Sequence, residues 1–180
     1  MFYMFFADGF EEVEAIAALD VIRRAGIEIE SVGIGSKEIK GAHNITVICD
    51  KTEEEISVSD KLYGIILPGG MPGTKNLQKN KTVNEFIDYC NENSLYLCAI
   101  CAAPMILGQK GLLNGKKATC FPGFEEYLEG AVIGNEYVCT DGKIITAKGM
   151  GSAVNFGLEI VSAIKGENVA SELKATLQCS

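Results

Sequence analysis

Hydrophobic positions along the 180-residue chain fall into short blocks whose spacing switches between that of a strand and that of a helix. The opening run FYMFFA, residues 2–7, is continuously apolar, the pattern of a strand buried on both faces. Asp8 and Glu11 stand where a capping box would open a helix, which runs to about Arg24 and closes at Gly26. Residues 27–34, IEIESVGI, alternate as a strand with one polar face, and residues 44–49, NITVIC, predict a short strand in a hairpin or at a sheet edge. Residues 63–70, YGIILPGG, form an apolar run that stops at Pro-Gly-Gly, which predicts a central parallel strand followed by a tight loop. Helical spacing over 82–93 leads into a second buried strand over 95–100, and 103–113 predicts a helix that breaks near Gly111. Short strands near 117–121, 136–140 and 143–147 and helices at about 151–164 and 167–175 complete the pattern. No linker or repeat interrupts it, so residues 1–180 are expected to form a single α/β domain with a parallel sheet covered on both faces. Ligands in such sheets bind outside the carboxyl ends of the strands, where two loops, PGGMPG and CAAP, stand out.

Composition narrows the function classes. Hydrophobic residues make up 47% of the chain and mean hydropathy is +0.16, which is globular. No apolar run approaches the ~20 residues of a spanning helix, so no membrane association is expected. The apolar start lacks the basic flank of a secretory signal. A net charge of −8 argues against nucleic-acid binding, which depends on clustered Lys and Arg. Seven cysteines, an odd number with no export signal, fit a reduced cytoplasmic protein with free thiols. The single histidine, His43, is expected at the surface in a polar loop, which argues against a Cys-His-acid triad.

The stretch LCAICAAP, residues 97–104, carries the sharpest candidate chemistry. A buried strand that turns directly into a helix can hold Cys101 at the corner, with its side chain in the crevice and the next N–H groups pointing the same way. Small neighbours Ala102 and Ala103 let the turn pack, and Pro104 suits a first helical turn. The positive end of the helix is expected to favour thiolate over thiol. A buried inert cysteine satisfies the same local pattern. Cys98 and Cys101 spell C-x-x-C, but an odd separation along a strand puts them on opposite faces, and no second cysteine pair or histidine cluster completes a metal set. Glu14 sits among apolar neighbours in VEAIAAL. If buried, its pKa rises and it can donate a proton to a neighbouring sulfur; the alternative is a solvated helix-face glutamate. Glu11 and Glu12 read as first-turn acids that complement the helix dipole. Gly69, Gly70 and Gly73 fit either a backbone nest for a ligand oxygen or a plain turn. Residues 33–41 lack the third glycine of a dinucleotide fingerprint and GLLNGKK lacks phosphate-loop spacing, so no cofactor is expected.

The stretches ADGFEEVEAIAALDVIRRAGI, ILPGGMPGTKNL, AICAAP, ATCFPGFEEYL and DGKIITAKGMGSAVNFGLEIV, in this order, resemble the DJ-one branch of the ThiJ/PfpI superfamily over nearly the whole chain. The resemblance implies a flavodoxin-like three-layer αβα sandwich, usually a homodimer, with Cys101 as the reactive elbow cysteine and Glu14 as its hydrogen-bond partner. It implies that Gly69, Gly70 and Ala102 line an anion pocket with their backbone. It implies a stress-response protein acting on a small aldehyde as a glutathione-independent glyoxalase, or on glycated protein as a deglycase. A second implied role is a redox sensor or redox-regulated chaperone using Cys101 sulfinic acid. Protease-like members carry histidine after the nucleophile where this chain has Ala102, so peptidase activity is not implied. Phe121 and Met150 stand where the branch has a histidine and a proline, which makes the pocket more apolar.

Overall fold

The computed structural model describes residues 1–59 and 61–179. In chain order the strands are β1 (Phe2–Phe6), β2 (Ile29–Gly33), β3 (Glu38–Lys40), β4 (Thr46–Ile48), β5 (Lys51–Thr52), β6 (Gly64–Leu67), β7 (Tyr96–Ile100), β8 (Lys117–Ala118), β9 (Val132–Ile133), β10 (Val138–Asp141) and β11 (Ile144–Ala147). The helices are α1 (Glu12–Arg24), α2 (Gly73–Lys79), α3 (Lys81–Glu92), α4 (Pro104–Gln109), α5 (Ala153–Lys165) and α6 (Glu167–Thr176). Seven strands form one sheet in the order β10-β11-β7-β6-β1-β2-β5, parallel throughout except for the edge pair β10–β11. In register, Met4 of β1 lies between Ser31 and Ile66, and Ile66 lies beside Cys98.

Alternation along β1 explains the layers. Phe2, Met4 and Phe6 point into a core shared with Ala15, Ala18 and Ile22 of α1 and Phe156 and Ile160 of α5. Tyr3, Phe5 and Ala7 point into the opposite core, with Val83, Phe86 and Ile87 of α3 and Ile106 of α4. A continuous apolar run is required because both faces are covered. The result is the flavodoxin-like sandwich that the sequence implies.

Three expectations are corrected. Asp8 and Glu11 make no capping box: Glu11 is the N-cap of α1 without a side-chain cap, and the Asp8 carboxylate instead accepts the Lys40 N–H at 2.9 Å. The helix expected over 103–113 ends at Gln109. The helix expected from 151 opens at Ala153, after a 3-10 turn over Met150–Ser152. Helix α2 carries no sequence signal, because it buries only Gly73, Thr74 and Leu77 and shows no amphipathic period.

The chain leaves β1 for β2 and β5 on one side and returns through β6 on the other. The direction of winding therefore reverses between β1 and β6, and the loops at the carboxyl ends of these strands diverge to leave a crevice. The loop after β6, the first turn of α1 and the corner after β7 all open there.

Candidate active site

Cys101 occupies the corner between β7 and α4 with φ +65°, a left-handed conformation that non-glycine residues rarely adopt. The surroundings hold that conformation from both sides. The Cys101 N–H donates to the Ala147 carbonyl of β11 at 2.8 Å, and the Cys101 carbonyl accepts the Phe121 N–H at 2.8 Å. The thiol is half-buried, whereas Cys98 behind it is fully buried in the α1–α5 core. This matches the geometry of a nucleophile elbow, and backbone strain held this firmly is found where it serves a site.

Glu14 is 1% exposed. The reading of a solvated helix-face glutamate is thereby overturned: α1 lies over the sheet, and position 14 faces inward past the end of β6. The Gly69 N–H donates to Glu14 Oε2 at 3.0 Å. A Cβ at Gly69 would lie 2.6 Å from Cys101 Cβ and 2.6 Å from Glu14 Oε2, so the cysteine and the carboxyl converge on a position that only glycine can fill. The N–H of Gly69 is thus spent on Glu14. The amides of Gly70 and Ala102 are the ones that favour the Cys101 thiolate. Gly70, at φ +89°, presses against the Glu11 backbone, which ties the loop to the start of α1. Gly73 packs against the backbone of Gly9 and Phe10 and plays a packing role.

Burial raises the Glu14 pKa to about 7, against the opposing hydrogen bonds from the Cys101 thiol and from the Gly69 and Met150 N–H groups. Burial also pushes the Cys101 thiol above its ordinary value, the negative charge of Glu14 pushes it further, and the amides of Ala102 and Gly70 pull it back. The expectation that the helix start alone favours thiolate is therefore corrected: α4 has six residues, and desolvation outweighs its amides. The two groups titrate as a pair. A thiol beside a carboxylate and a thiolate beside a carboxylic acid are two placements of one proton. In the second, Glu14 donates to the sulfur and its repulsion is gone.

Glu12, read from sequence as a dipole-complementing acid, is buried as well. Its carboxylate accepts the N–H groups of His43 at 2.7 Å and Ile45 at 3.3 Å, which pins the β3–β4 hairpin to α1. Burial would raise its pKa, but these bonds, its own N–H and the His43 ring together hold it below the usual range. His43 is exposed at the hairpin tip, as expected, with Nδ1 3.1 Å from Glu12 and 3.4 Å from Glu11. No local signal in the sequence pairs position 12 with residues 31 and 33 positions away. Among the described residues, no helix is long and apolar enough to cross a membrane.

A doubly wound sheet with a strained elbow cysteine facing a buried glutamate across a glycine defines a class of α/β proteins built around one reactive thiol. Residues 2–163 match the model of the DJ-1/PfpI family, and the chain belongs to that family. It is 31% identical over 170 residues to Protein dj-1beta of Drosophila melanogaster, covering 93% of this chain and 90% of that protein. It is 33% identical over 178 residues to the Parkinson disease protein 7 homolog of Danio rerio, covering 95% and 93%. Among solved structures, Drosophila DJ-1beta superposes with a TM-score of 0.93 at 29% identity over 99% of this chain and 97% of that one. An oxidized DJ-1 of Toxoplasma gondii superposes with a TM-score of 0.91 at 28% identity over 99% and 98%. The chain is thus a DJ-1-type protein.

Proposed function

We propose that Cys101 and Glu14 work together on 2-oxoaldehydes, in a stress-response role, as a glutathione-independent glyoxalase. The observation that carries this reading is a buried carboxyl, poised near neutrality, that converges with a strained elbow thiol on Gly69. The thiolate adds to the aldehyde carbon and forms a C–S bond, giving a hemithioacetal whose oxyanion takes hydrogen bonds from the Gly70 and Ala102 amides. Glu14 removes the proton from that carbon and, through an enediol, returns one to the neighbouring carbon. The aldehyde carbon is oxidised and the ketone carbon reduced, so no external oxidant or reductant enters. Water then cleaves the resulting thioester, releasing a 2-hydroxy acid and the thiolate. A pKa near the working pH lets one carboxyl both take and return the proton. The same addition at an early glycation adduct of a protein would give deglycase activity. The seven unpaired cysteines support a reducing, cytoplasmic setting.

The test is lactate formation from methylglyoxal. Wild type is expected to turn over, Cys101→Ala to abolish lactate, and Glu14→Gln to lower kcat by at least about 100-fold. Unchanged lactate production by either variant would refute the assignment.

A second reading, a redox sensor or redox-regulated chaperone, is favoured by the half-buried state of Cys101 and by the likeness to a DJ-1 structure described as oxidized. One equivalent of peroxide converts the thiolate to sulfenic acid with release of hydroxide, and a second gives sulfinic acid. A protonated Glu14 would then donate to the sulfinate. Intact-mass analysis after mild peroxide is expected to show two added oxygens located on Cys101. Oxidation that falls first on another cysteine would refute it.

A further inference from the structure

The crevice does not end at Cys101 and Glu14. Beside them lies a cavity of about 310 Å³ lined chiefly by Phe121, Pro122, Tyr137, Met150 and the stem of Lys148. Gly149 lines this cavity and also borders Glu14. A Cβ at that position would lie 3.2 Å from the Phe121 ring and 3.7 Å from Glu14 Oε1, so the bare Gly149 backbone stands between the carboxyl and the cavity wall. The Phe121 backbone is bonded to Cys101, and its ring packs edge-on against Phe124, which packs in turn on Tyr127. The wall is therefore held in place from behind. Its front is unusual: Phe121, Tyr137 and Met150 are all large, apolar and exposed, on three separate segments that meet at one opening. No carboxylate lines the cavity. Its one cation, Lys148, is bonded to the Asn135 carbonyl at 2.7 Å and lies near the Tyr137 ring, so its aliphatic stem is what it offers.

These observations rest on the oxoaldehyde reading above and deepen it. We infer that the Phe121–Tyr137–Met150 shelf is a specificity subsite that selects 2-oxoaldehydes carrying an aryl or branched alkyl group over methylglyoxal. The dicarbonyl end reaches Cys101 while the apolar group lies on the shelf. A cavity of this size, apolar and open at one end, suits a ring or a branched chain. Selection acts by removing apolar substrate surface from water in the complex.

The experiment compares phenylglyoxal with methylglyoxal as substrates, measuring mandelate and lactate. The proteins are wild type and the variant Tyr137→Ser, whose position is exposed enough to leave folding intact. Wild type is expected to favour phenylglyoxal in kcat/KM. The variant is expected to lose that preference several-fold through KM, with methylglyoxal kcat/KM unchanged. An unchanged preference in the variant, or a parallel loss on both substrates, overturns the subsite. A second readout needs no turnover: protection of Cys101 from iodoacetamide by mandelate against lactate. Stronger protection by mandelate that Tyr137→Ser weakens supports the shelf, and equal protection overturns it. Absence of both hydroxy acids with mandelate protection intact overturns the reaction and leaves the shelf standing.

Discussion

At the scale of single residues, the consequence of burying Glu14 is a cost that depends on pH. Its carboxyl titrates near 4.5 in an unfolded chain and at about 7 in the fold. Below the lower value both states hold the proton; between the two only the folded state does. Stability is therefore greatest below pH 4.5 with respect to this group, falls as pH rises, and stops falling above about 7. At 1.36 kcal/mol per unit, the loss is at most about 3 kcal/mol. His43 contributes in the same direction, because its raised pKa, set first by the hydrogen bond to Glu12, also means stability lost with rising pH. A glutamine at position 14 can keep the Gly69 bond but does not titrate, so it isolates one group from the other. Glu14→Gln is expected to be more stable than wild type at pH 8, by about 1–3 kcal/mol, and close to it at pH 5. Urea unfolding at the two pH values measures this. A wild type that loses no more stability than the variant over that range would show that Glu14 carries no such cost. The fold thus holds a destabilising carboxyl beside the elbow thiol.

At the scale of elements, α5 packs closely on α1, the helix that carries Glu14. Gly157 of α5 lies against Val21 and Ala18 of α1: an added Cβ would sit 2.9 Å from Val21 Cβ and 3.2 Å from Ala18 Cα. In an exposed helix, replacing glycine by alanine gains about 1 kcal/mol. Here the methyl meets a branched side chain and backbone, and overpacking costs about 1–3 kcal/mol. The Gly157→Ala protein is therefore expected to be less stable by up to about 2 kcal/mol, and thermal unfolding will show it. An increase in Tm would mean that the two helices can separate freely. Elements of this kind were legible to very different degrees. Strands β1, β6 and β7 and helices α1, α3 and α5 announce themselves by unbroken apolar runs or helical period. Cys101 could be picked out because strand, small residues and proline are consecutive in the chain. Helix α2 has one buried large apolar side chain, and β5 has two residues, so neither has a period to read. The partners that set the chemistry come from afar: Gly69 reaches Glu14 across 55 positions and Glu12 reaches the hairpin across 31. Composition near Glu14 hinted at burial, but nothing beside Glu12 hinted that it holds a hairpin, and Tyr137 gave no sign that it borders the cavity.

At the scale of the whole molecule, the outer face of α1 is as telling as its inner face. Val13 and Ile16 lie one turn apart on α1 and are exposed, and so are Ile45 and Ile48 of the hairpin that Glu12 pins alongside. Ile16 and Ile48 line the same groove of about 300 Å³, closed at one end by the Arg23–Asp50 ion pair. Exposed large apolar side chains gathered on two adjoining elements mark an interaction surface. We propose a second copy of this chain as the occupant, in an isologous pairing that sets α1 against α1. Such a homodimer would cover Ile48, which is 80% exposed, and would brace the helix that positions Glu14. Charges placed at the centre of such a surface disfavour association by several kcal/mol. Sedimentation velocity should find wild type as a dimer at micromolar concentration and Ile16→Glu/Ile48→Glu as a monomer with an unchanged circular dichroism spectrum. Because α1 carries Glu14 inward and this surface outward, the monomer should also turn over 2-oxoaldehydes more slowly than the dimer per Cys101. A double variant that remains dimeric would place the interface elsewhere, and a monomer with full activity would separate the bracing of α1 from the pairing of chains.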